Sequence, residues 1–128
     1  MDVHSADDAK LSARPTLSIQ LPASVNGFTL SKIVVKHAGV AESPALNTRA
    51  YRLRVQKVGI LGIGCAPNTV VTVTNNTANE TVHTISSKNV SQVQLVVDIP
   101  TQGTNQATRI FEVEVWGVPS TTSSLSCL

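Results

Sequence analysis

Aromatic residues make up 3% of this 128-residue chain and charged residues 14%. Both fractions are low for an ordinary domain, and each scarcity excludes something. With two Phe, one Tyr and one Trp, a core must be packed from Val, Ile, Leu and Ala, which supply most of the 41% hydrophobic content. Solubility then rests on Ser, Thr, Asn and Gln instead of ions. Two cysteines are too few for a disulfide scaffold. A bond between Cys65 and Cys127 is geometrically open if the tail folds back, but the flexible segment before Cys127 and the lack of an export signal favour free thiols. A net charge of +2 does not by itself announce a nucleic-acid binder.

Long apolar runs are missing as well. Met1 to Arg14 is polar and mixed in charge, without the run that a signal peptide or membrane span needs. The chain is therefore expected to be cytosolic as made, or a mature or excised segment, with no membrane insertion. Catalytic patterns are equally scarce. His4, His37 and His83 lack metal-ligand spacing, no Gly-x-Ser-x-Gly elbow occurs, and Asp98, Glu112 and Glu114 are dispersed. Gly59, Gly62 and Gly64 precede Ala66-Pro67-Asn68 and a further strand, so they are read as bulges or close backbone contacts, not a phosphate cradle. No enzyme, cofactor or metal site is expected from these residues.

What the chain does contain is a period of two. Ala50 to Gln56 and Ile110 to Trp116 alternate apolar with charged or polar residues, the pattern of strands with one buried face. Strands are expected at Leu17 to Leu21, Phe28 to His37, Ala50 to Leu61, Thr69 to Thr74, Thr81 to Ile85, Gln92 to Ile99 and Arg109 to Trp116. Loops fall at Gly39 to Asn47, Asn75 to Asn79, Ser86 to Asn89 and Pro100 to Ala107, where Pro, Gly and Asn punctuate the chain. The expected fold is all-β: an antiparallel β-sandwich of the eight-stranded jelly-roll kind. Residues 17–118 form the sandwich, 1–16 a mobile amino-terminal arm and 119–128 a polar carboxy-terminal tail, free unless a neighbouring subunit holds it.

The basic residues cluster. Arg49, Arg52, Arg54 and Lys57 crowd one strand and Lys32 and Lys36 another, and alternation puts Arg52 and Arg54 on the same side. They suit either contact with phosphates or cross-strand ion pairs with Glu112 and Glu114. Trp116 falls on the strand face of Glu112 and Glu114. It is read as a sugar platform or subunit interface, or, if the strand twists near Gly117, as a core residue. Three N-glycosylation patterns, at Asn75, Asn79 and Asn89, arise readily by chance in so Asn- and Thr-rich a chain.

Several of these segments resemble a known family. Phe28 to Lys36, the Pro44 loop, the basic strand Tyr51-Arg52-Leu53-Arg54-Val55, and Val97-Asp98-Ile99-Pro100-Thr101 with its Asn- and Gln-rich loop look like the small single-jelly-roll capsid proteins of RNA viruses. That resemblance implies a virion protein, made in the host cytoplasm, that self-assembles through contacts with copies of itself. It also implies genomic RNA as a partner, met by Arg49, Arg52 and Arg54 and extended by Lys32 and Lys36. The arm, with Lys10 and Arg14 against Asp2, Asp7 and Asp8, departs from the family's arginine-rich pattern and brings in a capsid surface domain facing a host receptor. The alternative from another class is a carbohydrate- or receptor-binding module that uses Trp116 with the Asn and Gln loops.

Overall fold

The computed structural model describes the backbone of residues 2–11 and residues 15–59, 64–123 and 127 in full. Seven antiparallel strands occur among them: β1 (Asp2–Leu11), β2 (Thr16–Gln20), β3 (Phe28–His37), β4 (Ala50–Lys57), β5 (Asn68–Val73), β6 (Glu80–Ile99) and β7 (Thr108–Pro119). The all-β sandwich expected from alternation is what forms, with seven described strands in place of eight. Two short 3-10 turns, Ala38–Val40 and Pro44–Leu46, interrupt the β3–β4 loop.

The strands pair in the order β1-β7-β3-β6-β4-β5, with β2 also on β6. One long strand makes this ladder into two layers. The first half of β6 pairs with β3, from Lys36 opposite Glu80 to Phe28 opposite Val90. Its second half lies between β2, with Gln20 opposite Gln92, and β4, with Ala50 opposite Ile99. Sheet I is therefore β1-β7-β3 with the start of β6, and sheet II is β2, the end of β6, β4 and β5.

The expected loop at Ser86 to Asn89 is thus the bend of a continuous strand. Register shifts flank it on β3, between Phe28 and Lys32, and on β4, between Gln56 and Lys57. Asn89 takes a left-handed φ of 60°. Bulges and one left-handed residue let a strand turn a corner while keeping the same face inward. Polar side chains at that corner look like a loop when only the sequence is read.

The inward residues meet as one core. Ile19, Leu30, Ile33, Val35, Tyr51, Leu53, Val55, Val93, Leu95, Ile110, Val113 and Val115 are all buried together, contributed by both sheets. The alternation in β4 is the clearest cause: Tyr51, Leu53 and Val55 are buried while Arg52, Arg54 and Gln56 keep part of their surface in water. Burial of such aliphatic side chains contributes on the order of 2 kcal/mol each before the entropy of ordering is subtracted.

Both chain ends differ from expectation. The segment read as an arm runs as β1 along β7, from Asp2 opposite Trp116 to Leu11 opposite Thr108. The tail is held from within: the Ser120 amide donates to Gly27 O at 2.9 Å, Ser120 Oγ lies 2.8 Å from Thr29 Oγ1, and Asn89 Nδ2 donates to Thr122 O at 2.8 Å. A disulfide joins Cys65 to Cys127. The free thiols favoured by the sequence are therefore replaced by a cross-link, because the chain after β7 turns back across the β2–β3 loop and the β6 corner toward Cys65. The core is also continuous with this end through Gly27, whose φ is +66° and whose missing Cβ would lie 2.7 Å from Asn89 C and 2.8 Å from Val90 O. Gly27→Ala is expected to lower the unfolding free energy by roughly 2–4 kcal/mol, since it adds left-handed strain to a clash with backbone. Urea unfolding midpoints of the two proteins test this.

Candidate functional site

The basic residues do not converge. Arg52 and Arg54 point out of sheet II, alternating with buried Leu53 and Val55, whereas Lys32 and Lys36 point out of sheet I, alternating with buried Ile33 and Val35. Each outward set also has local partners. Arg52 makes a two-pronged contact with Asp98, Nε to Oδ2 at 3.0 Å and Nη2 to Oδ1 at 3.1 Å. This pair raises the arginine pKa further. Arg54 Nη2 donates to Pro67 O at 3.3 Å. Glu112 and Glu114, considered in the sequence as partners for these arginines, instead clamp Lys36 Nζ at 2.8 and 2.9 Å. Their hydrogen bonds, Glu112 first, hold that ammonium well above the usual lysine range.

Trp116 belongs to the same ladder. It is half-buried on the outer face of sheet I, its Nε1 donates to Glu114 Oε1 at 2.9 Å, and Lys32 Nζ sits 4.5 Å from the ring centroid. A cation over an indole face is a favourable electrostatic contact, and here it takes one face of the ring. Nor does Trp116 meet the Asn and Gln loops. Those loops adjoin the start of β7, eight residues away at Thr108, or roughly 26 Å along a strand.

Those loops form a site of their own. Residues 38–49, 74–79 and 100–107 come together at the end of the sandwich where β3, β5 and the end of β6 stop and β4, β7 and the start of β6 begin. Three amide side chains stitch them. Asn47, fully buried, accepts from the Gly39 amide at 2.6 Å and donates to Asn79 Oδ1 at 3.0 Å. Asn76 donates to Thr48 O and Ala78 O at 3.0 and 3.1 Å and accepts from the Ala78 amide at 3.0 Å. Gln102 Nε2 donates to Asn47 O at 3.0 Å and Asn76 O at 2.9 Å, and its backbone amide to Ala45 O at 3.1 Å. Asn47 and Asn76 are buried and bonded on both donor and acceptor sides, and the part-buried Gln102 donates to both of their carbonyls. Such bonds fix loop geometry, because breaking those of a buried amide leaves a polar group unpaired. None of the three was singled out from the sequence, where they read as turn residues.

The rim of this end is exposed and polar: Arg49, Asn75, Thr77, Asn79, Asn105 and Gln106. Arg49 lies just before β4, apart from Arg52 and Arg54, and its Nε donates to Asn75 Oδ1 at 3.2 Å. Of the glycosylation patterns, Asn75 and Asn79 are on this rim, while Asn89 is buried and its amide also donates to Asn26 O at 2.9 Å.

Beneath the loops lies a chain of inward polar side chains. Tyr51 Oη is 2.6 Å from both Thr81 Oγ1 and His83 Nε2, and His37 Nε2 is 3.0 Å from Thr81 Oγ1. Burial pushes the Tyr51 hydroxyl up to about 12, against the Thr81 hydrogen bond, and pushes His83 down. His37 falls to about 4, through burial first and the nearby His83 second. No group of three or more His, Cys, Asp or Glu suited to a metal ion occurs among the described residues. Among the same residues, no helix is long and apolar enough to cross a membrane. The Gly-rich run lies partly outside them, at residues 60–63, as do the side chains of Lys10, Arg14 and His4.

No protein-family model and no curated protein matches the sequence. Two solved structures are similar in fold. The family 32 carbohydrate-binding module from Streptococcus pneumoniae EndoD superposes with a TM-score of 0.69 at 22% identity, covering 85% of this chain and 74% of that one. An F5/8 type C domain from Bacteroides fragilis gives a TM-score of 0.56 at 14% identity, covering 86% of this chain and 72% of that one. The expectation of a viral capsid subunit, with the virion, self-assembly and genomic RNA that the resemblance implied, is corrected by this likeness. Short alternating strands separated by polar turns are common to many β-sandwiches, and the charges of Arg52 and Arg54 are engaged by Asp98 and Pro67 O. The chain is similar in fold to a carbohydrate-binding module and an F5/8 type C domain.

Proposed function

We propose that this chain is a non-catalytic glycan-binding module whose ligand seat is the rim made by residues 38–49, 74–79 and 100–107. The observation that carries the reading is the fold shared with a family 32 carbohydrate-binding module over 85% of the chain. The rim supports it chemically. Sugar hydroxyls need donors and acceptors held in place before the ligand arrives, since ordering mobile side chains on binding costs affinity. Asn47, Asn76 and Gln102 supply that order from below, leaving exposed amides, hydroxyls and one guanidinium above.

The direct test is a glycan array probed with the purified chain, followed by affinity electrophoresis on the polysaccharides it retains. Retention on a defined glycan set is expected, with Asn75→Ala weakening it by about 3- to 10-fold. Trp116→Phe should leave it unchanged. Binding lost with Trp116→Phe but kept in Asn75→Ala would move the seat to the face of sheet I. No retention on any glycan would overturn the reading.

A further inference from the structure

We infer that the glycan carries a carboxylate, as a uronic or sialic acid does, and that Arg49 is the residue that reads it; this rests on the glycan-binding reading above. Among the described arginines Arg49 is the exposed one, the other three keeping only part of their surface in water. It is also the one whose setting combines a fixed position with an uncompensated charge. The Arg49 amide donates to Ile99 O at 3.0 Å and its carbonyl accepts from the Asn76 amide at 2.7 Å, so its backbone is clamped between two neighbours. Its Nε is then held by the neutral oxygen of Asn75.

The contrast with the other cations is informative. Lys36 and Arg52 face carboxylates. Lys32 lies over Trp116, and Arg109 Nη1 turns to its neighbour Ala107 O at 3.4 Å. Arg49 is oriented by an amide that leaves its charge intact and the Nη1/Nη2 edge without a partner among the described residues. Two parallel N–H groups on that edge match the two oxygens of a carboxylate.

Composition of the rim points the same way. Residues 38–49, 74–79 and 100–107 contain no aromatic side chain, so a sugar ring has nothing there to stack on. Affinity at this seat has to come from directed hydrogen bonds, and those to an ionised acceptor are about twice as strong as neutral ones.

The test is an array that pairs uronate- and sialate-bearing glycans with their carboxyl-reduced or desialylated counterparts, followed by titration calorimetry on the best pair. The acidic member is expected to bind roughly 10- to 100-fold more tightly. Arg49→Ala should abolish that preference while leaving the circular dichroism and melting curve in place. Arg49→Lys, which keeps the charge but not the fork, should recover less than half of the lost binding free energy. Equal or tighter binding of the neutral member, or an acidic preference that survives Arg49→Ala, would overturn the inference while leaving a glycan-binding module. Failure of every glycan on the array would overturn both.

Discussion

Removing the Cys65–Cys127 bond is expected to lower the unfolding free energy by about 4 kcal/mol, since the cross-link spans 62 residues and a loop of that size restricts the unfolded chain by about that much in the chain-entropy account. Of the two sulfurs' residues, Cys65 is buried and Cys127 exposed, so the bond is tied to the core on one side and open to reductant on the other. Its position matters for function as much as its strength. The bond lies with the β2–β3 loop, the β6 corner and the tail, at the end of the sandwich opposite the polar rim. The Cys65→Ser/Cys127→Ser double variant should therefore melt earlier, and unfold at lower urea, than the oxidised protein. Below its own melting temperature it should bind glycan with the same affinity. An unchanged urea midpoint would mean that the folded chain does not depend on the bond. A loss of binding in fully folded protein would mean that the two ends are coupled.

The prediction also shows where the sequence was legible and where it was not. Strand β3 was placed at Phe28 to His37 because every condition for it is local: alternation, β-branched residues, and a glycine before it. The whole sandwich followed from the same period of two. The disulfide depended instead on where the chain goes after β7, and there Ser120 meets Gly27, Thr29 and Asn89, partners far away in sequence. Nothing in Ser120-Thr121-Thr122-Ser123 announces those contacts. The same holds for β6. Ser86-Ser87-Lys88-Asn89 has the composition of a loop, and it is the pairing of Phe28 and Lys57 with Val90 that keeps the strand unbroken through its bend.

The candidate site was legible in parts that had to be reassembled. Arg49, Trp116 and the Asn- and Gln-rich loops were all marked by the sequence, but in the wrong company. Arg49 was grouped with Arg52 and Arg54 because they are close in the chain, yet it precedes the strand and belongs to the rim. Trp116 was grouped with the amide loops because both suit sugars, yet half the length of β7 and more separates them. Spacing within a strand predicts which face a residue is on. It does not predict which loops share an end of the sandwich, since that follows from the non-local order β7-β3-β6-β4. The stitching amides Asn47, Asn76 and Gln102 carried no signal beyond turn propensity, because an amide bonded within the fold and a solvated one have the same sequence.

Acid should weaken the fold through His37. The ring is fully buried at the end of β3, with Nε2 on Thr81 and Nδ1 without a hydrogen-bond partner among the described residues. Facing it are Tyr51, 5.4 Å away between ring centroids, and beyond that His83, while among the described residues no carboxylate forms an ion pair with it. The protonated ring therefore has neither water nor an anion to stabilise it, and its pKa falls from 6.5 to about 4. A histidine whose pKa is depressed on folding leaves stability untouched above about pH 7. Below 6.5 the unfolded chain takes up a proton that the folded one refuses, so stability drops with each unit of pH until the folded ring itself titrates near 4. The full drop is worth roughly 3 kcal/mol, and about 2 kcal/mol of it falls between pH 6.5 and 5, before most carboxylates protonate. Urea unfolding at pH 7.5, 6.5, 5.5 and 5.0 measures this. The His37→Gln variant, which keeps a hydrogen bond to Thr81 but cannot titrate, should flatten most of the slope, and what remains belongs to His83, which is lowered in the same direction but is only half-buried. A wild-type profile as flat as the variant's would mean that the His37 ring reaches solvent in the folded protein, and with it that the loops stitched above Thr81 open far more readily than their buried amides imply.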